Sequence, residues 1–421
     1  MNATPGLGQR AQDMIDALAE ISADPDRLTR VFLSPEHRRA AMLVGEWMRK
    51  AGMTVRMDAA GTMHGLMPAA AVGPMAQKRL LIGSHIDTVV DAGRYDGNLG
   101  VVAGILAVEE IARRGIKLPF AVEVLAFGDE EGVRYPKTLM SSSALAGTLD
   151  PSVLEMTDAE GMTMRNALAE FGGDPDHILT EGYQPGHVLG YLEVHIEQGP
   201  VLEQANEPLG VVTAIASQGR YRMHVRGEAG HAGTVPMDVR HDALVAAAEI
   251  IGLIEEVGRK GKHASLVATV GEIRAMPGAS NVIPGACEMS LDVRAADDET
   301  RIDAAAEIRI RARQIGARRG CVVGIETMHE KPVAMAAPRF RRAMAAAIEE
   351  VTGHKAHEMM SGAGHDGQAM VHLTEIGMIF VRCRAGISHN PLEFVTVSDL
   401  EASVEALTRT LVHIARDPPG T

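Results

Sequence analysis

His85, Asp96, Glu131, His195 and His389 are residue types that hold divalent metal ions, and Glu130 stands beside one of them as a candidate base. Together they have the make-up of a two-metal hydrolytic centre. Imidazole and carboxylate ligands accept Zn²⁺, Mn²⁺ or Co²⁺. In His85-Ile86-Asp87 a carboxylate follows an imidazole by two residues. On extended chain such residues face the same side. Asp87 could therefore accept the second ring N–H of His85, fixing its tautomer and raising its basicity. Asp96 lies in Gly93-Arg94-Tyr95-Asp96-Gly97-Asn98, a turn composition whose glycines let the backbone come close to an ion. Glu130 and Glu131 are adjacent carboxylates that repel, so positive charge is expected near them. A binuclear centre would satisfy both, one ligating and the other handling protons. Each piece alone has an ordinary reading: a strand-end histidine, a turn aspartate, a solvated acidic loop.

The elements before these residues make the set coherent. His85 follows Leu80-Leu81-Ile82-Gly83, and the glutamate pair follows Val122-Glu123-Val124-Leu125-Ala126-Phe127. His195 closes Tyr191-Leu192-Glu193-Val194, and His389 comes soon after Met378-Ile379-Phe380-Val381. Short apolar runs bounded by glycine or polar residues read as buried strands. In open α/β sheets, sites form beyond the carboxyl ends of strands. Four distant segments would thus deliver their ligands to one rim. His37, His177, His187, His263, His354, His357 and His413 lack this setting and read as structural or surface residues.

The chain has 421 residues, 46% hydrophobic, with only 3% aromatic and 24 methionines. It is longer than one ordinary domain, and its core should be aliphatic with methionine as filler. A net charge of −14 argues against a nucleic-acid binder, which needs a basic face. Cys287, Cys321 and Cys383 are too widely spaced for a zinc or disulfide framework and suit a reducing cytoplasm. Met1-Asn2-Ala3-Thr4-Pro5-Gly6 lacks the pattern of a secretory leader. No apolar run reaches membrane-spanning length.

Helical spacing predicts helices within 8–52, and strands then alternate with helices to about residue 210. This predicts an α/β domain: a mixed, mostly parallel sheet flanked by helices. The pattern changes near 211. Gly210–Ile215 and Tyr221–Arg226 read as two strands joined by Ser217-Gln218-Gly219, followed by a helix from Asp242 to Val257. Two more strands, a helix from Asp298 to Ala317 and the strand Cys321–Thr327 come next. An inserted α+β domain is expected at 212–330, four-stranded with two helices. Residues 1–211 and 331–421 would form the metal-binding catalytic domain.

Several segments in order resemble one family. They are Gly83-Ser84-His85-Ile86-Asp87-Thr88, Gly93-Arg94-Tyr95-Asp96-Gly97, Gly128-Asp129-Glu130-Glu131-Gly132 and His195-Ile196-Glu197-Gln198-Gly199. Gly230-His231-Ala232-Gly233-Thr234-Val235-Pro236-Met237, Ser361-Gly362-Ala363-Gly364-His365-Asp366 and Gly386-Ile387-Ser388-His389 continue the series. The family is the hydantoinase/carbamoylase amidases, which include allantoate amidohydrolases and N-carbamoyl-L-amino-acid hydrolases, within the dinuclear metallopeptidase superfamily. The resemblance runs from about residue 10 to 415.

The resemblance implies a metallopeptidase-like fold and two divalent ions per chain. Asp96 would bridge them, with His85 and His195 completing one site and Glu131 and His389 the other. Glu130 would be general base and then general acid, with Asp87 as its catalytic neighbour. Gln198, His231, Asn281, Arg294, Gly362 and Ala363 match substrate-binding positions. The inserted domain would serve as a lid and join a homodimer. The implied substrate is a small ureido carboxylate, either allantoate or an N-carbamoyl-L-amino acid, cleaved to release ammonia and CO₂. The chemistry is consistent: a metal can lower the pKa of water from 15.7 to about 7, and guanidinium binds carboxylate through paired hydrogen bonds. An aminoacylase or aminopeptidase is the neighbouring alternative. A non-catalytic metal-binding homologue is the distant one, and retention of Glu130 speaks against it.

Overall fold

The computed structural model describes residues 5–260 and 266–417. His263 and the first four residues, on which two of the sequence readings rest, lie outside them. The chain forms two compact units, 1–213 with 335–421, and 214–334. Among the described residues no helix is long and apolar enough to cross a membrane.

The first unit is built on a nine-stranded sheet. Its first six strands are β1 (Thr54–Met57), β2 (Met63–Met67), β3 (Arg79–His85), β4 (Ala121–Phe127), β5 (Val188–Ile196) and β6 (Leu209–Ile215). Strands Ala334–Met335, His357–Ser361 and Ile376–Val381 complete it. The centre runs β4-β3-β5 and then Ile376–Val381, all parallel. β1, β2 and β6 join it antiparallel. The central four are buried almost throughout, as their unbroken apolar runs require of strands covered on both faces. Their register sets His85 beside Phe127, and Phe380 beside His195. All four carboxyl ends therefore lie along one edge, each leading into a segment that carries candidate ligands.

The helix Asn98–Arg113 starts two residues after Asp96 and packs on β3 and β5. Nearly every residue of it is buried, and its small residues Gly100, Ala103 and Gly104 permit that close approach. Helices Leu7–Ala19 and Val397–Arg416 pack against it, and Thr396 caps the latter by accepting the Asp399 N–H. Their apolar stripes join one core with the sheet.

The second unit has its own core. Its sheet orders Ile273–Met276, Ala286–Ala295, Ser217–Arg226 and Val322–Lys331, all antiparallel, and Val267–Thr269 pairs with Ala286–Ala295 as a fifth strand. Helices Ala243–Lys260 and Asp298–Arg318 pack on it. Two expectations are corrected. The sheet has five strands rather than four, because three residues at Val267–Thr269 are too short to show a period in sequence. Gly210–Ile215 and Tyr221–Arg226 also do not form a hairpin through Ser217-Gln218-Gly219. Those three residues are strand residues, paired with Arg294 and Lys331 at Gln218 and with Val293 and Glu330 at Gly219. β6 instead belongs to the first unit's sheet.

Candidate active site

The ligand candidates gather around Asp96. His85, Asp96 and His195 present ligand atoms all within 4.8 Å of one another, and so do Asp96, Glu131 and His389. Asp96 belongs to both groups. Its Oδ1 lies 3.1 Å from His195 Nε2 and 3.7 Å from His85 Nε2, and its Oδ2 lies 3.2 Å from His389 Nε2. His389 Nε2 is also 3.5 Å from Glu131 Oε2. Backbone shape makes this possible. Gly97 has φ 66°, and a Cβ there would stand 2.4 Å from the His85 ring. Only glycine lets the Asp96 turn come so close.

The imidazoles are aimed by main-chain carbonyls. His85 Nδ1 donates to the Asp87 carbonyl at 3.0 Å, and His195 Nδ1 to the Ile196 carbonyl at 3.0 Å. In the neutral ring, with its proton on Nδ1, each Nε2 would turn a lone pair toward a cation beside Asp96. His195 Nε2 is buried with no hydrogen-bond partner. Lone pairs and carboxylate oxygens facing one another need positive charge between them, so this donor set fits metal ions. The predicted bond from His85 to the Asp87 carboxylate is not made: Oδ1 is 3.7 Å away. The chain turns after His85, bringing the Asp87 carbonyl to the ring. The Asp87 carboxylate instead accepts the Glu130 and Glu131 backbone N–H groups at 3.4 and 3.3 Å. It thus tethers the glutamate loop to the His85 strand.

Electrostatics follow the crowding. Burial would raise the Asp96 pKa, yet His195, His389 and His85 hold it well below the carboxylate range. Burial would lower that of His85, yet Asp96, Glu130 and Asp87 drive it well up. Asp96 chiefly, against partial burial, raises His389 to about 9. Burial and then Asp96 push Glu131 to about 7. Burial, with Glu131, Asp366 and Asp87 adding repulsion and His85 opposing, lifts Glu130 well above its usual value. A half-buried carboxyl raised in this way holds a proton more readily than an ordinary glutamate, as a proton carrier must.

Other predicted positions fall in both units. Gln198 sits at the cluster, donating from Nε2 to Asp96 Oδ2 at 2.9 Å and to Ser388 Oγ at 3.1 Å. Gly362 and Ala363 follow the strand His357–Ser361; a Cβ on neighbouring Gly364 would meet Glu130 Oε1 at 3.4 Å. In the second unit, His231 and Asn281 are exposed near a two-stranded ribbon, His231 pairing with Val282. Arg294 is half-buried on its strand and forks onto Asp292, with bonds of 2.9 and 3.1 Å.

Sequence reasoning gave no role to Glu193, His365, Asp366, Ser388 or Glu393. Glu193, His195 and His365 form a third group of convergent donors. Glu193 is two residues before His195 on β5, so strand period alone could have placed it on the same face. It accepts from Tyr191, Ser84 and the Gly367 N–H, and burial pushes it to about 8. His365 stacks edge-on against His195 with ring centres 4.4 Å apart, and shares a 2.7 Å hydrogen bond with Ser361 Oγ.

Comparisons with known proteins agree with this geometry. The model of Peptidase family M20/M25/M40 matches residues 81–413. An allantoate deiminase of Arabidopsis thaliana is 42% identical, over 96% of this chain and 82% of that protein. An N-carbamoyl-L-amino acid amidohydrolase of Geobacillus stearothermophilus is 38% identical, over 97% of this chain and 99% of that protein. The crystal structure of a hydantoinase/carbamoylase family amidase from Burkholderia multivorans superposes with a TM-score of 0.88 at 29% identity, covering 96% of this chain and 97% of that one. The chain therefore belongs to Peptidase family M20/M25/M40 and, within it, to the hydantoinase/carbamoylase amidases, and it is a hydrolase.

Proposed function

We propose that the chain hydrolyses the ureido C–N bond of a linear N-carbamoyl carboxylate, allantoate or an N-carbamoyl-L-amino acid, with release of ammonia and CO₂. The observation that carries this is the pair of donor groups sharing Asp96, beside the half-buried Glu130. In this reading His85, Asp96 and His195 hold one divalent ion, and Asp96, Glu131 and His389 a second, zinc or manganese being the first candidates. Bound there, such ions supply Lewis acidity and make water acidic enough to lose a proton near neutral pH. Glu130 takes that proton and returns it to the leaving nitrogen. Asp87 keeps Glu130 and Glu131 in place through their backbone amides. Gln198 holds Asp96 and the Ser388 hydroxyl in register.

Arg294 is our candidate for reading the substrate carboxylate. Its guanidinium forks onto the Asp292 carboxylate, and in this reading a substrate carboxylate would take that two-point contact in exchange for Asp292. His231, Asn281, Gly362 and Ala363 complete the substrate-binding set that the family resemblance suggests. We read the inserted residues 212–330 as a lid and dimerisation domain. Ile302 and Ile310 on one of its helices, and Leu244 and Val245 on the other, are exposed apolar residues that support a homodimer. The three cysteines are free and buried, which suits a cytoplasmic protein.

Allantoate, a panel of N-carbamoyl-L-amino acids and N-acetyl-amino acids, assayed side by side for ammonia and amino-acid release, test the proposal. Ammonia from a ureido substrate supports it. Turnover of the acetylated compounds alone would overturn it in favour of an aminoacylase.

A further inference from the structure

Glu393 is a buried glutamate that belongs to none of the donor groups above. Its Oε1 accepts the backbone N–H of Tyr95 at 2.8 Å and of Asp96 itself at 3.1 Å. Its Oε2 accepts from Ser388 Oγ at 2.9 Å. Ser388 immediately precedes His389, and its Oγ is also 3.0 Å from Asp96 Oδ2. The approach is close: a Cβ on Gly93 would lie 2.2 Å from Glu393 Cδ, so position 93 tolerates no side chain while Glu393 is there. One carboxylate thus brackets two loops whose Asp96 and Ser388 are 292 residues apart in sequence. One loop carries Asp96 and the other His389, two of the three members of a single donor group. His389 needs such support, since it holds the left-handed backbone conformation at φ 53°, which costs a non-glycine residue roughly 1–3 kcal/mol.

We propose that Glu393 is a positioning residue that fixes Asp96 and His389 relative to one another, and so selectively sets the affinity of the ion held by Asp96, Glu131 and His389. This rests on the two-ion reading above. The ion held by His85, Asp96 and His195 depends less on it, because His85 and His195 are aimed by carbonyls of their own strands and turns. A glutamine at 393 keeps one oxygen for the two loop amides and can still meet Ser388. Alanine removes the bracket. Aspartate keeps the charge but withdraws it by one methylene.

The test is titration of the chelator-stripped full chain with Mn²⁺ or Zn²⁺ alone, read by calorimetry and by bound metal per chain. Wild type should take two ions. Glu393→Ala should bind one of them at least tenfold more weakly, and it should be the same ion that His389→Ala loses. Glu393→Gln should restore both, and Glu393→Asp should behave like alanine, which keeps the test open if the alanine variant fails to fold. Two ions bound with unchanged affinity by Glu393→Ala or Glu393→Asp would overturn the positioning role and leave the two-ion reading standing. So would a glutamine variant as weak as alanine. A wild type that binds no ion would overturn both.

Discussion

His195 Nε2 faces Asp96 Oδ1 at 3.1 Å while His195 Nδ1 is committed to the Ile196 carbonyl at 3.0 Å. The ring therefore has one nitrogen to offer, and it offers it to the carboxylate shared by both donor groups. Asp96 is the residue whose loss should do most harm. Asp96→Ala should bind neither ion tightly, whereas His389→Ala should retain one. Metal per chain by mass spectrometry, after dialysis against excess Mn²⁺, distinguishes the two. Chelation should likewise abolish wild-type turnover, and restored Mn²⁺ or Zn²⁺ should return it.

Glu130→Gln separates proton transfer from binding. The amide keeps the shape of the side chain, and the backbone N–H to Asp87 is untouched. Metal content and substrate affinity should stay near wild type while kcat falls by roughly a hundredfold or more, the usual worth of a general base. A variant with near wild-type kcat would show that another group carries the proton.

Arg30 should be a stability residue as well as a support of the site. It is fully buried. Its guanidinium donates to the carbonyls of Ile86 at 2.8 Å, Leu18 at 2.5 Å and Ile21 at 3.1 Å, and to Asn98 Oδ1 at 2.8 Å. Ile86 lies between His85 and Asp87, and Asn98 opens the helix that follows Asp96. Arg30→Met would remove the donor from the Ile86 carbonyl and Asn98 Oδ1 in particular, at about 1–3 kcal/mol for each buried group so stranded. Chemical denaturation should show a loss of at least about 2 kcal/mol in unfolding free energy, since several acceptors are affected together.

A buried ion network at the sheet edge gives a pH signature. His64 lies between Asp58 Oδ2 and Glu123 Oε1, each at 2.9 Å, and Arg79 and Tyr183 also donate to Glu123 at 2.7 and 2.8 Å. Burial would raise the Glu123 pKa, but His64 and Arg79 bring it from 4.5 down to about 2. Its folded pKa is depressed, so its stabilisation is present above about 4.5 and is lost as pH falls toward 2. His64 has the opposite sign: although burial opposes it, Asp58 and Glu123 raise its pKa, so its share is lost as pH rises past 6.5. The stability difference between wild type and Glu123→Gln should therefore be largest near pH 5 to 6 and shrink between pH 4.5 and 2. Unfolding free energies of both proteins across that range check it. A difference independent of pH would mean that the Glu123 charge contributes nothing.

The neighbourhood of the candidate ligands was legible in the sequence because four of the segments that carry them are strands, or follow strands, that must be buried. An unbroken run such as Leu80-Leu81-Ile82 has no other stable use in a chain this long, and a parallel sheet sends all its strand ends to one edge. The adjacent Glu130 and Glu131 gained their meaning from position, because the apolar strand that leads directly into them weakens the reading of a solvated acidic loop. Contacts made by folding back were not legible. Nothing in the order of residues says that the Asp87 carbonyl, and not its carboxylate, meets the His85 ring; the turn after β3 decides that. Nor does it say that Ser217 to Gly219 continue a strand, because strand and turn differ there only in what pairs with them. Arg30 and Glu393 bind groups far from them in sequence, Ile86 and Asn98 for the one and Tyr95 and Asp96 for the other, with no period or spacing to mark them. Local pattern reports what a segment must bury. Which distant polar groups satisfy one another is settled only when the packed chain removes water from both, and that choice belongs to the tertiary structure.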